Sequence, residues 1–186
     1  MNQYQYSEII NKFHSALPFI NGWIDQIIEK YKEKSTPLID FNFSKINQIF
    51  QKKLLENTKV VIVPDKIPFP PLGRMGLAEL SGIELMPISG ITYKNTFFVN
   101  QNLLTESLHF HELIHVVQWE RLGSDNFLLA YGVGLIKFGY EKSPLEKMAY
   151  RLQKNFDTGT VPEGIVNIII QKTDIIWNQV RLLVHQ

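Results

Sequence analysis

The first third of the chain carries apolar residues spaced three or four positions apart, which is the pattern of amphipathic helices. The first stripe begins after Ser7, which could cap a helix, and continues beyond Pro18 to Tyr31. Because proline has no backbone N–H, we predict helices that are bent or interrupted at Pro18. The same spacing predicts a further helix over residues 44–56. We expect these helices to cover the core, with an interaction surface as the alternative.

The middle of the chain contains short β-branched or aromatic runs between turn residues, and such runs are typical of strands. Residues 64–76 are rich in proline and glycine, so we predict a loop there. Lys94 and Asn95 would form the turn of a hairpin. The predicted strands are Val60–Val63, Ile83–Leu85, Ile91–Tyr93 and Thr96–Val99.

Helical spacing returns in the second half of the chain. The first helix there is predicted to stop at Gly123, because glycine is favoured just after a helix end. Ser143 and Pro144 begin a later helix, with serine at the cap and proline at the first helical position. The predicted helices are residues 104–122, a loosely packed stretch at 127–140, 144–157, and a final helix from Pro162 onward.

These elements predict an α+β fold in which a small mixed or antiparallel sheet packs on the helix at residues 104–122. We predict a single domain over residues 1–186, since a chain of this length supports one core. Its parts would be a helical N-terminal region at 1–57, a core segment at 58–155 and a C-terminal helix at 156–186.

Composition narrows the functional classes. Hydrophobic residues make up 45% of the chain and charged residues 20%, as in ordinary globular proteins. The net charge of +1, with no long basic run, predicts no nucleic-acid partner. The absence of cysteine excludes disulfides and thiolate metal sites. No signal peptide or long apolar segment is evident, so we expect a cytoplasmic protein with no membrane partner.

The run His111-Glu112-Leu113-Ile114-His115 lies within the predicted helix at 104–122. Residues four positions apart lie about 40° apart around an α-helix, so both imidazoles can reach one ion. Glu112 could then act on a water molecule at that ion, which is the chemistry of the HExxH zinc hydrolases. The alternative is a pair of partly buried polar residues on an otherwise apolar helix.

A catalytic zinc usually takes three protein ligands, so a third residue is needed. His109 is excluded, because two positions along a helix rotate a side chain by about 200°, away from His111. His14 and His185 are in terminal segments, and we expect both at the surface. The acidic residues that follow the motif are Glu120, Asp125, Glu141, Glu146 and Asp157.

Glu146 is the acidic residue that we favour, since its helix could return beside the first one. Ala149, three residues later, is small enough to permit that close approach. A competing role remains, because Ser143 and Glu146 have the spacing of a capping box. In that role the carboxylate would accept from the backbone of Ser143 and would not reach a metal.

The segments His111–Gln118 and Pro144–Tyr150 resemble those of gluzincin-type zinc metallopeptidases, in particular small bacterial members. The resemblance extends over about residues 80–155 and implies a zincin-like fold. Many gluzincins have an aspartate where this chain has Tyr150, and that aspartate orients a zinc-bound histidine. We expect Tyr150 either to hydrogen bond to an imidazole or to pack as a core aromatic residue.

The resemblance also implies the roles of individual residues. His111, His115 and Glu146 would bind Zn²⁺, and Glu112 would activate a water molecule on the metal to hydrolyse a peptide bond. The substrate would be a peptide or protein. Zinc and one donor would stabilise the developing negative charge, and the candidate donors are Tyr131, Tyr140 and Tyr150 by their chemistry and Arg121 or Arg151 by their charge.

By the same resemblance, the substrate would lie as an extended strand along a sheet edge. The strand near Thr96–Val99 or the one near Ile83–Leu85 would supply that edge. Only residues 156–186 follow the helix of Glu146, so we expect a narrow specificity, or an activity that depends on a partner protein that completes the cleft or on rearrangement of Phe127–Tyr140.

Two other functions compete with the peptidase. One is a catalytically silent zincin-fold interaction module in which zinc is structural. The other is a helical binding protein whose HExxH motif is accidental. Glu112 favours the enzyme over the silent module, because a purely structural zinc site has no need of a base.

Overall fold

The computed structural model describes residues 3–184 and has an α+β architecture with one four-stranded mixed sheet, as predicted. The helices are α1 (Gln3–Tyr31), α2 (Ser44–Ile49), α3 (Lys52–Asn57), α4 (Glu106–Phe138), α5 (Pro144–Asp157) and α6 (Ile165–Val184). The strands are β1 (Ser35–Pro37), β2 (Lys59–Val63), β3 (Gly90–Tyr93) and β4 (Thr96–Asn100). Within the described residues, no helix has the length and apolar character that crossing a membrane requires.

The sheet has the strand order β1-β2-β4-β3. The central strands β2 and β4 are parallel, whereas β1 and β3 are antiparallel edge strands. The predicted hairpin between β3 and β4 is present, with Lys94 in the left-handed region at φ 57°. All of Thr96–Val99 is buried, because β4 is a central strand. The expectation that Thr96–Val99 forms an edge is therefore wrong, and β3 is the edge strand on that side.

The predicted strand at Ile83–Leu85 is also wrong. These residues end a 3₁₀ helix at Ala78–Leu85, and Leu85 is 79% exposed. A run of three residues is too short for its periodicity to distinguish a strand from a helical turn. The sequence prediction missed β1 for a related reason: Ser35, Thr36 and Pro37 are not apolar, and only their pairing with β2 makes them a strand.

The N-terminal helices differ from the prediction in two places. The predicted interruption at Pro18 is absent, because α1 continues through this residue as one helix. Pro18 and His14 both lie on the exposed face, where water can replace the hydrogen bond that the proline removes. The predicted helix at 44–56 divides into α2 and α3, because Phe50 takes an extended conformation and is buried with its ring 5.7 Å from that of Phe110.

α4 starts after Thr105, whose side-chain oxygen accepts a hydrogen bond from the Leu108 N–H at 3.1 Å. Gly123 breaks the helical geometry, with φ 72° and ψ 172°, so the predicted interruption is present. The chain then resumes a helix to Phe138, and this second part is the stretch predicted at 127–140. Gly123 is therefore a kink between two helical segments, since helical backbone resumes directly after it.

α4 lies at the centre of the molecule and packs against α1, α5, α6 and β3. Phe110, Leu113 and Ile114 are completely buried in its first part. A helix that is apolar on all sides is one that is covered on all sides. The HExxH residues therefore lie in the interior, between β3 and α5, where few water molecules compete with their interactions.

Candidate metal centre

The first part of α4 places His111 and His115 one turn apart, with their rings on the same side of the helix. The two Nε2 atoms are 3.2 Å apart, and the two side chains are only 5% and 6% exposed. Two nitrogen lone pairs at this distance repel each other unless a proton or a cation lies between them. The pair is thus arranged for a shared positive ion.

α5 returns beside α4 and brings Glu146 to the two histidines. Its carboxylate oxygens lie 3.3 Å from His111 Nε2 and 3.5 Å from His115 Nε2. The Tyr131 hydroxyl donates to Glu146 Oε1 at 2.6 Å, while Oε2 is buried and has no hydrogen-bond partner. Ala149 is completely buried, consistent with the close approach of the two helices.

The spacing of these three side chains is close to that of ligands around a tetrahedral ion. Within residues 3–184, His111, His115 and Glu146 form a buried group whose ligand atoms all lie within 4.8 Å of one another. Bonds of about 2.0–2.1 Å, as zinc makes to nitrogen and oxygen, give a tetrahedron with edges of roughly 3.3 Å. The two Nε2 atoms are 3.2 Å apart, Glu146 Oε2 lies 3.3 Å from His111 Nε2, and Glu146 Oε1 lies 3.5 Å from His115 Nε2. The group could therefore hold a metal ion.

The alternative role of Glu146 as a helix cap is not found. The Ser143 N–H donates to the carbonyl of Tyr140 at 3.1 Å, so it is not available to the carboxylate. The Ser143 hydroxyl makes no capping bond and is buried without a partner. Glu146 instead faces α4, where Tyr131 and two imidazoles offer stronger partners than one backbone amide.

The charges of the metal-free group are coupled. Burial lowers the pKa of His115, but the charge of Glu146 outweighs it and raises that pKa to about 9. Burial in turn raises the pKa of Glu146, but His115 and His111 hold it well below its usual range. The carboxylate is therefore ionised, as a metal ligand must be.

Glu112 also belongs to the site, and its carboxylate contacts residues of strand β3 in the sheet. The Thr92 hydroxyl on β3 donates to Glu112 Oε2 at 2.7 Å. Gly90, also on β3, has no side chain, and a Cβ there would lie 2.5 Å from Glu112 Oε1. Burial raises the pKa of Glu112, although His111 and His115 oppose that effect. Such a carboxylate is a better proton acceptor than an exposed one.

Two glutamines contact the outer nitrogens of the histidines and were missed by the sequence prediction. His111 Nδ1 is 3.0 Å from Gln153 Oε1, and His115 Nδ1 is 2.8 Å from Gln118 Oε1. Helical spacing contained the signal, because Gln118 is three residues after His115 and Gln153 is seven after Glu146.

Tyr150 fulfils neither of its two expected roles. Its ring lies 4.7 Å from the His111 ring but makes no hydrogen bond to it, since Gln153 occupies the outer nitrogen. It is also 42% exposed, so it is not a core residue. Tyr150 is instead a partly exposed aromatic residue whose ring packs against that of His111.

Other residues considered from the sequence lie elsewhere. His109 points away from the site, as predicted, into a buried group of aromatic rings that includes Phe43. Arg121 is paired with Asp174 on α6 at 2.7 Å. Glu120, Arg151 and His14 are exposed, and His185 lies outside the described residues.

A cavity of about 70 Å³ opens beside the group and is lined by Glu112, His115 and Glu146. Tyr131 and Tyr140 lie in the same lining, as does the whole of β3. The remaining wall is largely apolar, with side chains from α1, from the segment after β2 and from the second part of α4. Its members include Phe13, Ile20, Phe69, Ile91, Phe127 and Leu135.

Two aromatic residues in the lining of this cavity have their polar hydrogens bound by backbone carbonyls. The Tyr93 hydroxyl donates to the carbonyl of Pro68, and the Trp119 indole N–H donates to the carbonyl of Thr92. These two polar hydrogens are thus not available to a ligand in the cavity.

Comparisons of the chain with protein-family models, curated proteins and solved structures give no match.

Proposed function

We propose that this protein is a zinc-dependent peptidase with a zincin-like arrangement of sheet, HExxH helix and glutamate-bearing helix. The observation that carries the proposal is the buried group of His111, His115 and Glu146 beside the separately held Glu112. The donor set of two imidazoles and one carboxylate is one that zinc takes in catalytic sites. Zinc in this group would polarise the scissile carbonyl and lower the pKa of water.

The remaining chemistry belongs to the side chains. Glu112 would accept a proton from the attacking water molecule and deliver it to the leaving amine. Thr92 and Gly90 hold its carboxylate in place for both transfers. Tyr140 lines the cavity and has a hydroxyl that could donate to the carbonyl oxygen as negative charge develops.

The cavity favours a substrate with one apolar group next to the reacting bond. Its volume of about 70 Å³ is less than that of the roughly 150 Å³ cavity that accommodates benzene. A branched aliphatic side chain fits this space better than an aromatic ring does. β3 is the edge strand that lines the cavity, so we propose it as the place where a peptide backbone would pair.

A structural zinc in a silent interaction module is the second candidate. The observation that favours it is the low exposure of the three side chains, between 3% and 6%. Glu112 favours the enzyme, because it lies in the cavity without belonging to the ligand group. Closed structural sites have four protein ligands and no opening, whereas this group has three and borders a cavity.

The test combines metal content with hydrolysis. Purified protein should contain about one equivalent of zinc, and the zinc-loaded protein should cleave a library of quenched peptides. Glu112→Gln should retain the zinc and lose cleavage. Stoichiometric zinc with no cleavage of any peptide would favour the structural site, and absence of zinc binding would reject both candidates.

A further inference from the structure

The two glutamines beside the histidines each make a second hydrogen bond on the side away from the imidazole, and for Gln118 this bond fixes which way the amide points. Gln118 Nε2 lies 3.4 Å from the carbonyl oxygen of Leu145, which can only accept. The Gln118 nitrogen must therefore be on that side, and its oxygen faces His115. Gln153 Nε2 lies 3.0 Å from Ser107 Oγ, a hydroxyl that can donate or accept, and the Gln153 oxygen lies on the side of His111.

The amide oxygens in turn fix the protons of the imidazoles. An amide oxygen only accepts, so Nδ1 of each histidine must carry the proton that is donated to it. In the neutral imidazole the lone pair is then on Nε2, and both Nε2 atoms face Glu146. This arrangement leaves both Nε2 lone pairs available to a cation at the centre of the group. The hydrogen bonds that set it are made by glutamines that do not belong to the group.

The second bonds also connect the two helices that carry the ligands. Gln118 is on α4 and reaches the backbone of α5 at Leu145, directly before Glu146. Gln153 is on α5 and reaches Ser107 on α4. Each glutamine thus hydrogen bonds to one histidine and also connects α4 to α5. The two connections lie at opposite ends of the ligand group.

We propose that Gln118 and Gln153 are positioning residues for the metal: they set the Nδ1–H form of both histidines and the α4–α5 spacing on which metal affinity depends. The inference rests on the proposed metal centre but not on catalysis. Loss of such outer contacts typically weakens metal binding by about 10–100-fold.

The experiment measures zinc affinity of the full chain by competition with a chromogenic chelator. Gln118→Met and Gln153→Met keep the side-chain length and remove the hydrogen bonds, so each should weaken zinc binding about 10–100-fold. Gln153→Glu should retain the affinity, because its carboxylate accepts from His111 and the Ser107 hydroxyl can donate to it. Gln171→Met, on the exposed face of α6, is the matched control and should bind zinc like the unmodified protein.

A second readout separates positioning from general packing. In the zinc-loaded protein, ¹⁵N spectra of the imidazoles should show slowly exchanging Nδ1 protons on His111 and His115. Each methionine variant should lose that protection at its own histidine alone, while circular dichroism remains unchanged. Unchanged zinc affinity in both methionine variants would overturn the inference, as would weakening in Gln153→Glu equal to that in Gln153→Met. Failure of the unmodified protein to bind zinc would instead reject the metal centre itself.

Discussion

Gly90 on β3 leaves the space in which the Glu112 carboxylate lies, and replacing it with alanine tests whether that position matters. The added Cβ would lie 2.5 Å from Glu112 Oε1 and 2.9 Å from Cδ. Ordinary van der Waals contacts of a Cβ atom begin at 3.4 Å, so the carboxylate oxygen would have to move away by about 0.9 Å. Gly90 lies in a strand with a φ that is ordinary for alanine, so the backbone itself can accept the change.

The size of the effect follows from this displacement. A misplacement of about 1 Å in a catalytic group costs on the order of 100-fold in rate, equivalent to about 2.7 kcal/mol in the barrier. We therefore expect Gly90→Ala to lower kcat/KM about 100-fold on a peptide that the unmodified protein cleaves. Zinc content should stay at one equivalent, because the new Cβ meets only Glu112 among the nearest atoms.

The assay compares Gly90→Ala with Gly82→Ala, where an added Cβ meets nothing within 4 Å. Both variants are checked for zinc content and thermal unfolding before hydrolysis is measured. Full activity in Gly90→Ala at one equivalent of zinc would refute the reasoning, because Glu112 would then not need its observed position. Loss of zinc in Gly90→Ala would show that β3 supports the ligands and not only the base.

Three further predictions concern the role of Glu146, the cap position at Ser143 and the protonation of His115. Glu146→Gln should weaken zinc binding by at least about 100-fold, since a charged ligand is replaced by a neutral one; tight binding measured by chelator competition would remove Glu146 from the site. Ser143→Ala should change the free energy of unfolding by less than the ~1 kcal/mol expected for loss of a cap, and denaturant unfolding that shows the full loss would restore the capping box. Zinc binding at pH 7 should release about one proton, because the pKa of His115 is about 9 in the metal-free protein. Calorimetry in buffers of different ionisation enthalpy measures this release, and a binding enthalpy independent of the buffer would contradict it.

The local sequence pattern was sufficient to predict the long helices and the placement of the HExxH motif on one of them. The spacing of His111 and His115 places their rings on one side of α4 whatever surrounds the helix, and it excludes His109 for the same reason. The β3–β4 hairpin and the start of α5 were also predictable, because turn and cap residues act over a few positions. Such signals require no knowledge of distant parts of the chain.

Other features depended on packing between distant segments. In the sequence Glu146 has the spacing of a helix cap as well as that of a metal ligand, and the return of α5 beside α4 places its carboxylate at the two histidines instead of at the cap. The same contact gave Gln153, and not Tyr150, the outer nitrogen of His111. β4 proved central because β2 pairs with it in parallel, a contact across more than thirty residues.

The sequence by itself therefore determined the helix that presents two imidazoles and a carboxylate, since rotation around a helix is a local property. Only the tertiary structure decided which carboxylate lies beside the two imidazoles, which residues contact their outer nitrogens, and the apolar cavity beside Glu112. Each of these depends on side chains from separate elements meeting within about 3 Å, and no local periodicity encodes such a meeting.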